Sequence, residues 1–490
     1  MRAGSRCKLP NGPLRAQSKA QAEYSATWGI RQLSEICRYF AKCTGHSVKQ
    51  GGTAGGIKEL IRSSLTDATN LSGRALYFLQ EVPIYSETKE VCYVSIIRNC
   101  QTTCIHREVP PYPGMPHFTG GLVGYFSYDY IKYSEPKLNL TSDEQQDFRD
   151  MDLMLFDQVI AFDHYRQKLL LITGVMTDNL ENSYRQAERT LKEMADLIKN
   201  GEKMEFPPLK IQSDIRPQFP KEKYCDMVEK ARKYIYEGDI FQVVLSNPVR
   251  AKAQGSLFDT YRVLRATNPS PYMFYFSSDD IELAGASPET LVSLKNGKLS
   301  TFPLAGTGPR GKTPQEDRDL EKELLADEKE RAEHNMLVDL GRNDIGRISQ
   351  IGSVQVEKYM SIERFSHVMH IGSTVTGQIR PDKDAVDAVD SILPAGTLSG
   401  APKFRACQII EELEQSRRGV YGGAVGYLDF AGTLDTCIAI RLVYKKNGEV
   451  CVRSGAGIVA DSVPEKEFEE CCNKARAVIN AIGQAQEGLE

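Results

Sequence analysis

The sequence predicts an α/β protein, built either as two domains or as one large two-layer body. Three observations lead there. The chain has 490 residues, beyond the roughly 250–300 at which a single hydrophobic core stops growing. Helix-like and strand-like segments alternate over residues 220–490, the pattern of a mixed sheet-and-helix body. Hydrophobic residues make up 41% and charged residues 26% of the chain, which is the balance of an ordinary globular protein.

The elements follow in chain order. Residues 1–75 carry 12 Lys+Arg against 4 Asp+Glu, and six of the 12 cysteines precede residue 105. Apolar periodicity is weak there, so residues 1–115 are expected to be a divergent, poorly ordered N-terminal part. A basic arm and an amphipathic targeting peptide are the lesser readings. No apolar core with a small-residue cleavage site marks a secretory signal. Order is expected from about residue 117, where HFTGGLVGYFSYDYIKY is aromatic, strand-like and punctuated by glycine. LMLFDQVIAFDHY and KLLLITGVM read as paired strands around a short turn. Residues 179–200 read as an amphipathic helix with Ala187, Leu191, Met194, Ala195 and Ile198 on one face. These elements form an N-terminal subdomain over 116–200, the aperiodic 201–219 is a connector, and 220–490 is the core.

Within the core, Lys221 to Glu237 reads as a helix ended by Gly238, the usual left-handed cap residue. FQVVLSNPVR follows as a strand, and runs around Leu283, Leu291 and Leu299 suggest antiparallel ribs. One long acidic helix is expected from about Pro314 to Leu340. A last helix opens at Pro464, where proline suits the first turn, and runs to about Ile482. GGLVGY at 120–125 returns as GGAVGY at 422–427, which suggests two glycine-kinked strands of one sheet system.

Composition also excludes. The formal net charge of -4 argues against a nucleic-acid binder, which usually presents a strongly basic face. No apolar run approaches the roughly 18 residues of a membrane helix. The cysteines are scattered without a CxxC pair, so a reducing, cytoplasmic compartment is expected.

Several segments could carry chemistry. Glu330 and Glu333 stand three apart on the acidic helix, beside a stripe of Met336, Leu337 and Leu340 expected to be buried. A carboxylate held there needs a cation or a proton. Glu467 and Glu470 repeat the spacing on the last helix. Two such helices could together hold Mg²⁺, which takes one or two protein carboxylates and fills its shell with water and substrate oxygens. A solvated face and a complement to the helix dipole are the plain alternatives. Four glycine-rich turns, AGASPE (284–289), LAGTGPRG (304–311), PAGTLSGAPK (394–403) and SGAG (454–457), could cradle an anion with backbone N–H groups. None has the form of a nucleotide phosphate loop. Arg441, read as lying in a strand after AGTLDTC, could clamp a carboxylate. His370, at the end of FSHVMH, is either a satisfied core group or an acid–base residue.

Taken in order, GDIFQVVLS, NPSPYMFY, GASPE, FPLAGTGPRG, AEHNMLVDLGRNDIGR, FSHVMH, PAGTLSGAPK, YGGAVGY, DTCIAIR and SGAGIVADSVPEKEFEE resemble the chorismate-utilising enzyme family. The match runs from about Gly120 to the C-terminus and is densest from Gly238 onward, and it looks most like the family's anthranilate-forming branch. The resemblance implies a large α/β body in which two β-sheets pack on each other like a sandwich, with helices outside and the site in a cleft between them. It implies Mg²⁺ held by Glu333 and Glu470 against the ring carboxylate of chorismate. Gly306, Thr307, Tyr421, Arg441, Gly455, Ala456 and Gly457 would hold the rest of the substrate. Glu289 would be the general acid for the departing ring hydroxyl, and His370 a participant in pyruvate elimination. The chemistry fits such a set: hydroxide leaves poorly without a proton donor, and a dianion needs cationic and N–H partners.

Two positions separate the branches of the family. Water-using members carry a lysine where this chain has Gln242, and aminodeoxychorismate synthases commonly carry one where it has Ala305. Their joint absence fits ammonia as the nucleophile and anthranilate as the product. No GxCxGxQ-type elbow is present, so the resemblance implies a separate glutamine amidotransferase subunit and a hetero-oligomer. Members that respond to tryptophan bind it between an N-terminal LLES-type segment and an NPxPYM segment. Pro271, Tyr272 and Met273 supply the second, whereas YFLQE at 77–81 lacks the serine of the first, so a weak tryptophan response is expected. The other readings are an aminodeoxychorismate-forming member, against which the missing lysine at Ala305 speaks, and a catalytically silent member acting as partner or sensor, against which the presence of every named site residue speaks.

Overall fold

The structure, a computed structural model, describes residues 115–140, 148–176, 179–364, 368–487 and 489, together with the backbone of 75–83 and 89–91. The expectation for 1–115 therefore lies almost wholly outside the described residues.

Two antiparallel sheets make the body. Across the first run Tyr272–Ser277, Ile281–Ser287, Leu442–Lys446, Glu449–Ile458, Gln242–Gln254 and Gly400–Ala401. Across the second run Leu304–Pro309, Val368–Gln378, Lys298–Thr301, Thr290–Lys295, Leu434–Ile438, Ala424–Asp429, Gly121–Phe126 and Met151–Phe156. The inner faces meet in one apolar cluster that takes Phe276, Leu283 and Tyr444 from the first sheet and Tyr125, Val425 and Cys437 from the second. Each such buried side chain contributes about 1.5–3 kcal/mol. The helices lie outside. Pro464–Ala485 covers the first sheet through Ala475, Val478 and Ile482 against Val443, Val450 and Val452. Glu328–Gly346 and Ala385–Ile392 cover the second through Val338, Ile345 and Val389 against Leu291 and Val375.

The chain passes between the sheets twice in adjacent places. Ile281–Ser287 leaves the first sheet and Thr290–Lys295 enters the second, so Pro288 and Glu289 form one crossing. Leu434–Ile438 leaves the second and Leu442–Lys446 enters the first, so residues 439–441 form the other. Backbone hydrogen bonds tie the crossings: Ile438 N–H donates to the Glu289 carbonyl at 2.9 Å, and Ala286 N–H to the Arg441 carbonyl at 3.1 Å.

Several expected elements stand as read. The helices Leu180–Asn200, Lys221–Tyr236 and Pro464–Ala485 form, and Gly238 takes a positive φ of 85° after the second. The ribs around Leu283, Leu291 and Leu299 are antiparallel strands. The echoed glycine motifs are neighbouring strands of the second sheet, with Gly124 opposite Gly426. A Cβ on Gly124 would lie 1.9 Å from the Asp152 carbonyl, and one on Gly426 2.1 Å from that of Asp435. Only bare backbone fits both.

Others differ. The single acidic helix is two, Pro314–Ala326 and Glu328–Gly346. Asp327 starts the second, its Oδ1 accepting from Lys329 N at 2.9 Å and Glu330 N at 3.0 Å; aspartate is favoured as such a cap. The buried face of this helix is His334, Leu337, Val338 and Ile345, with Met336 and Leu340 only partly covered. HFTGGLVGYFSYDYIKY is a strand only over Gly121–Phe126 and then turns into short helix at Tyr128–Ser134. Gln158–Asp163 and Lys168–Met176 do pair, but in a third sheet with the backbone strands Ala75–Pro83 and Lys89–Val91, whereas Met151–Phe156 joins the second sheet. Residues 116–200 are thus divided between sheets.

Candidate active site

Glu289 sits in the first crossing, which is why the GASPE turn places a carboxylate between two sheets. Thr397, in the one-turn helix Gly396–Leu398, donates from Oγ1 to Glu289 Oε1 at 3.3 Å. Burial pushes the Glu289 carboxyl up to about 8, against the smaller opposing effects of Thr397 and the Lys474 charge. A carboxyl in that state carries its proton at neutral pH and can donate it.

Arg441 sits in the second crossing rather than in a strand, with φ at 53°. A bulky residue held in the left-handed region costs of order 1–3 kcal/mol and marks functional positions. No hydrogen bond or ion pair with a described residue engages its guanidinium. Burial lowers its proton affinity, while Tyr421 and Glu470 raise it. A guanidinium so placed is a ready bidentate partner for a carboxylate.

His370 lies on Val368–Gln378, opposite Thr307 on Leu304–Pro309. Its Nδ1 is 2.9 Å from the Gly306 carbonyl and 3.2 Å from Thr307 Oγ1. A carbonyl only accepts, so Nδ1 carries the hydrogen and the basic lone pair is on Nε2. Burial, with Arg441 adding to it, lowers the imidazole's proton affinity against the pull of the Gly306 carbonyl. The ladder bulges between Ala305 and Thr307, and Gly306 takes a φ of 65° there. A Cβ on it would come within 3.2 Å of Glu330 Oε2, so this turn lies against the glutamate helix.

The floor is Gly455, Ala456 and Gly457 on Glu449–Ile458. A Cβ on Gly455 would lie 2.6 Å from the Leu245 carbonyl and 3.1 Å from Tyr421 Oη, and one on Gly457 2.7 Å from Gln242 Nε2. The strand therefore offers bare backbone. Tyr421 is buried above a charged network: Glu414 accepts from Arg418 at 2.6 Å and from Arg453 at 2.8 Å, and the Arg418 guanidinium lies 5.9 Å from the Tyr421 ring centroid.

Glu333 and Glu470 come from helices on different sheets. Gln242 Nε2 donates to Glu333 Oε1 at 3.2 Å, and Glu470 Oε1 lies 2.6 Å from Lys474 Nζ. Their partners in the i,i+3 pairs show the crowding. Glu330 is pushed up by burial and then by Glu333, with Glu470 adding, and Glu467 is pushed up by burial and then by Glu470. Carboxylates crowded in this way suit a hard cation such as Mg²⁺. Among the described residues no three His, Cys, Asp or Glu side chains form a metal-holding group by themselves.

Sequence reasoning assigned no role to Thr397 or Lys474. Lys474 was legible through its i,i+4 spacing from Glu470, and its Nζ also donates to the Gly455 carbonyl at 3.1 Å. Of the residues read as a tryptophan wall, Tyr272 engages Thr290 Oγ1 and Asp435 Oδ1, each at 2.8 Å, Met273 packs on the outer core of the first sheet, and Pro271 is exposed. The side chains of 77–81, the other wall, lie outside the described residues.

The family described as chorismate binding enzyme matches residues 75–480. Anthranilate synthase component 1 of Acetivibrio thermocellus is 49% identical over 383 residues, 76% of this chain and 77% of its own length. The same component of Aquifex aeolicus is 48% identical over 380 residues, 77% of each chain. Among solved structures, anthranilate synthase component I of Streptococcus pneumoniae superposes with a TM-score of 0.67 at 38% identity, covering 83% of this chain and 92% of that one. The menaquinone-specific isochorismate synthase of Escherichia coli shares the fold, with a TM-score of 0.60 at 20% identity over 86% of this chain and 91% of that one.

Proposed function

The chain belongs to the chorismate binding enzyme family, and on that premise we propose that it catalyses the anthranilate synthase reaction, a lyase step turning chorismate and ammonia into anthranilate and pyruvate. The observation that carries the reading is the meeting, at two adjacent sheet crossings tied by backbone hydrogen bonds, of Glu289 and Arg441, whose guanidinium engages no described residue. Gln242, which donates to Glu333 Oε1 at 3.2 Å, cannot act as a base for water, which supports ammonia as the nucleophile. The relatives' names support the same reaction.

In this reading Arg441, Lys474 and the bare backbone at Gly455–Gly457 gather the carboxylates of the substrate. Glu289 gives its proton to the ring hydroxyl as ammonia adds, which acid–base groups of this kind speed by roughly 10²–10⁴. His370 Nε2, with its lone pair set by the Gly306 carbonyl, takes the ring proton whose loss makes the product aromatic. Mg²⁺ would be held by Glu333 and Glu470 and would supply a fixed positive charge for the ring carboxylate. Ammonia would come from a separate glutamine amidotransferase subunit. Among the described residues no helix is long and apolar enough to cross a membrane, and the described cysteines are free thiols, which supports a cytoplasmic setting.

The decisive assay is chorismate with ammonium and Mg²⁺. Anthranilate and pyruvate should form in equal amounts, and release of isochorismate instead would overturn the reading. The isolated chain should use ammonium but not glutamine; efficient glutamine-dependent turnover by the pure chain would contradict the separate-subunit proposal. His370→Ala should consume chorismate yet accumulate an aminated intermediate that still bears the pyruvyl group. If that variant leaves chorismate untouched, His370 has another role.

A further inference from the structure

A cavity of about 40 Å³ is lined by Glu289, its hydrogen-bond partner Thr397, Thr301, Gly341 and Asp344. Resting on the anthranilate-forming reading, we propose that this cavity receives the water set free when the ring hydroxyl departs and passes back the proton that reloads Glu289.

Volume and chemistry both fit water. One water needs about 10–15 Å³ of such space, so a cavity of about 40 Å³ takes about three or four. A buried water also needs two to four polar partners, and the lining supplies them. Thr301 Oγ1 donates to the Leu291 carbonyl at 2.9 Å, which leaves its lone pairs to accept. Asp344 is buried and held by Lys403, whose Nζ lies 2.8 Å from Asp344 Oδ2 and 2.8 Å from the Ile392 carbonyl. The Lys403 contact fixes the carboxylate in the cavity wall. Apart from Thr290, the remaining lining, Leu337 and Leu340 among it, is apolar, so any water in the cavity bonds to these few polar groups.

The protons balance. The ring C–O bond breaks and its electron pair leaves with the oxygen. Glu289 gives its proton to that oxygen, so the water forms within hydrogen-bond reach of the cavity. The new C–N bond leaves an ammonium, which must lose one proton to become the amine. That loss equals the proton Glu289 donated, so no outside acid is consumed. Glu289 needs only a route by which an equivalent proton returns, and a short chain of cavity waters ending at Asp344 is one.

Two variants test this without touching Glu289. In Gly341→Ala the added methyl would lie 3.2 Å from Thr301 Cγ2 and 3.5 Å from Pro303 Cγ, inside the cavity wall. Alanine suits a helix interior better than glycine, so the fold is kept. Asp344→Asn keeps the shape and removes the charge. In both, kcat for ammonium-dependent turnover should fall about tenfold or more, less than the roughly 10²–10⁴ that the acid itself contributes because the relay only reloads it. The KM for chorismate should stay within about twofold, and the solvent deuterium isotope effect on kcat should rise as proton return becomes limiting. Unchanged kcat and isotope effect in both variants would overturn the proposal, as would a dry cavity in a crystal structure of the wild-type chain. The parent reading fails separately, if the wild-type chain makes no anthranilate at all.

Discussion

Glu289→Gln should lower turnover by about 10²–10⁴ while chorismate still binds, because glutamine keeps the shape of the side chain and cannot give up a proton. The same residue sets a pH limb. Burial holds the carboxyl at about 8 against an ordinary 4.5, so turnover should fall as pH rises through about 8. The stability effect runs with the same sign. The folded state keeps a proton that the unfolded chain releases above 4.5, so the contribution of this group is fully present below 4.5 and is lost as pH climbs to about 8. Glutamine escapes that loss. The variant should melt above the wild-type chain at pH 8, and the gap should close toward pH 4.5. A Gln variant with near-normal turnover, or one without the pH-dependent gain in melting temperature, would remove Glu289 from the role of acid.

Replacing Glu333 or Glu470 by glutamine should cost as much activity by another route. Each change removes one charged oxygen ligand, and the Mg²⁺ needed for half-maximal activity should rise by at least the roughly 10–100-fold seen for outer-shell changes. The fold should survive. Glu330 is raised in part by Glu333, and Glu467 in part by Glu470, so either substitution relieves crowding. Melting without metal should be unchanged or higher, and the rise in melting temperature on adding Mg²⁺ should be lost. Near-normal turnover of Glu470→Gln at low Mg²⁺ would rule the ligand assignment out.

Much of this was legible in the residues. Periodicity located the helices at 180–200, 221–236 and 464–485, because amphipathic faces, with Gly238 just after the second and Pro464 opening the third, leave little choice of boundary. The glycine echo at 120–125 and 422–427 became two paired strands, since a motif that demands bare backbone tolerates few settings. The acidic stretch misled at Asp327: nothing in a run of charged helix-formers says that one aspartate will turn its side chain back to cap a new helix. Arg441 was misplaced for a related reason. Its left-handed backbone is fixed by the passage from one sheet to the other, and local propensity carries no record of such a passage. Thr397 and the Asp344–Lys403 pair belong to contacts 59 to 108 residues apart in the chain, beyond any short-range pattern.

The two crossings have a mechanical consequence. Glu289 and Arg441 share one hydrogen-bonded pair of connections, so a slide of one sheet over the other carries both together. Their separation is a rigid baseline. Glu333 and Glu470 ride on helices packed on different sheets, so their separation depends on how the two sheets lie, with the Gln242–Glu333 hydrogen bond bridging them. A molecule built this way can adjust the spacing of its glutamate arm while Glu289 and Arg441 keep their alignment.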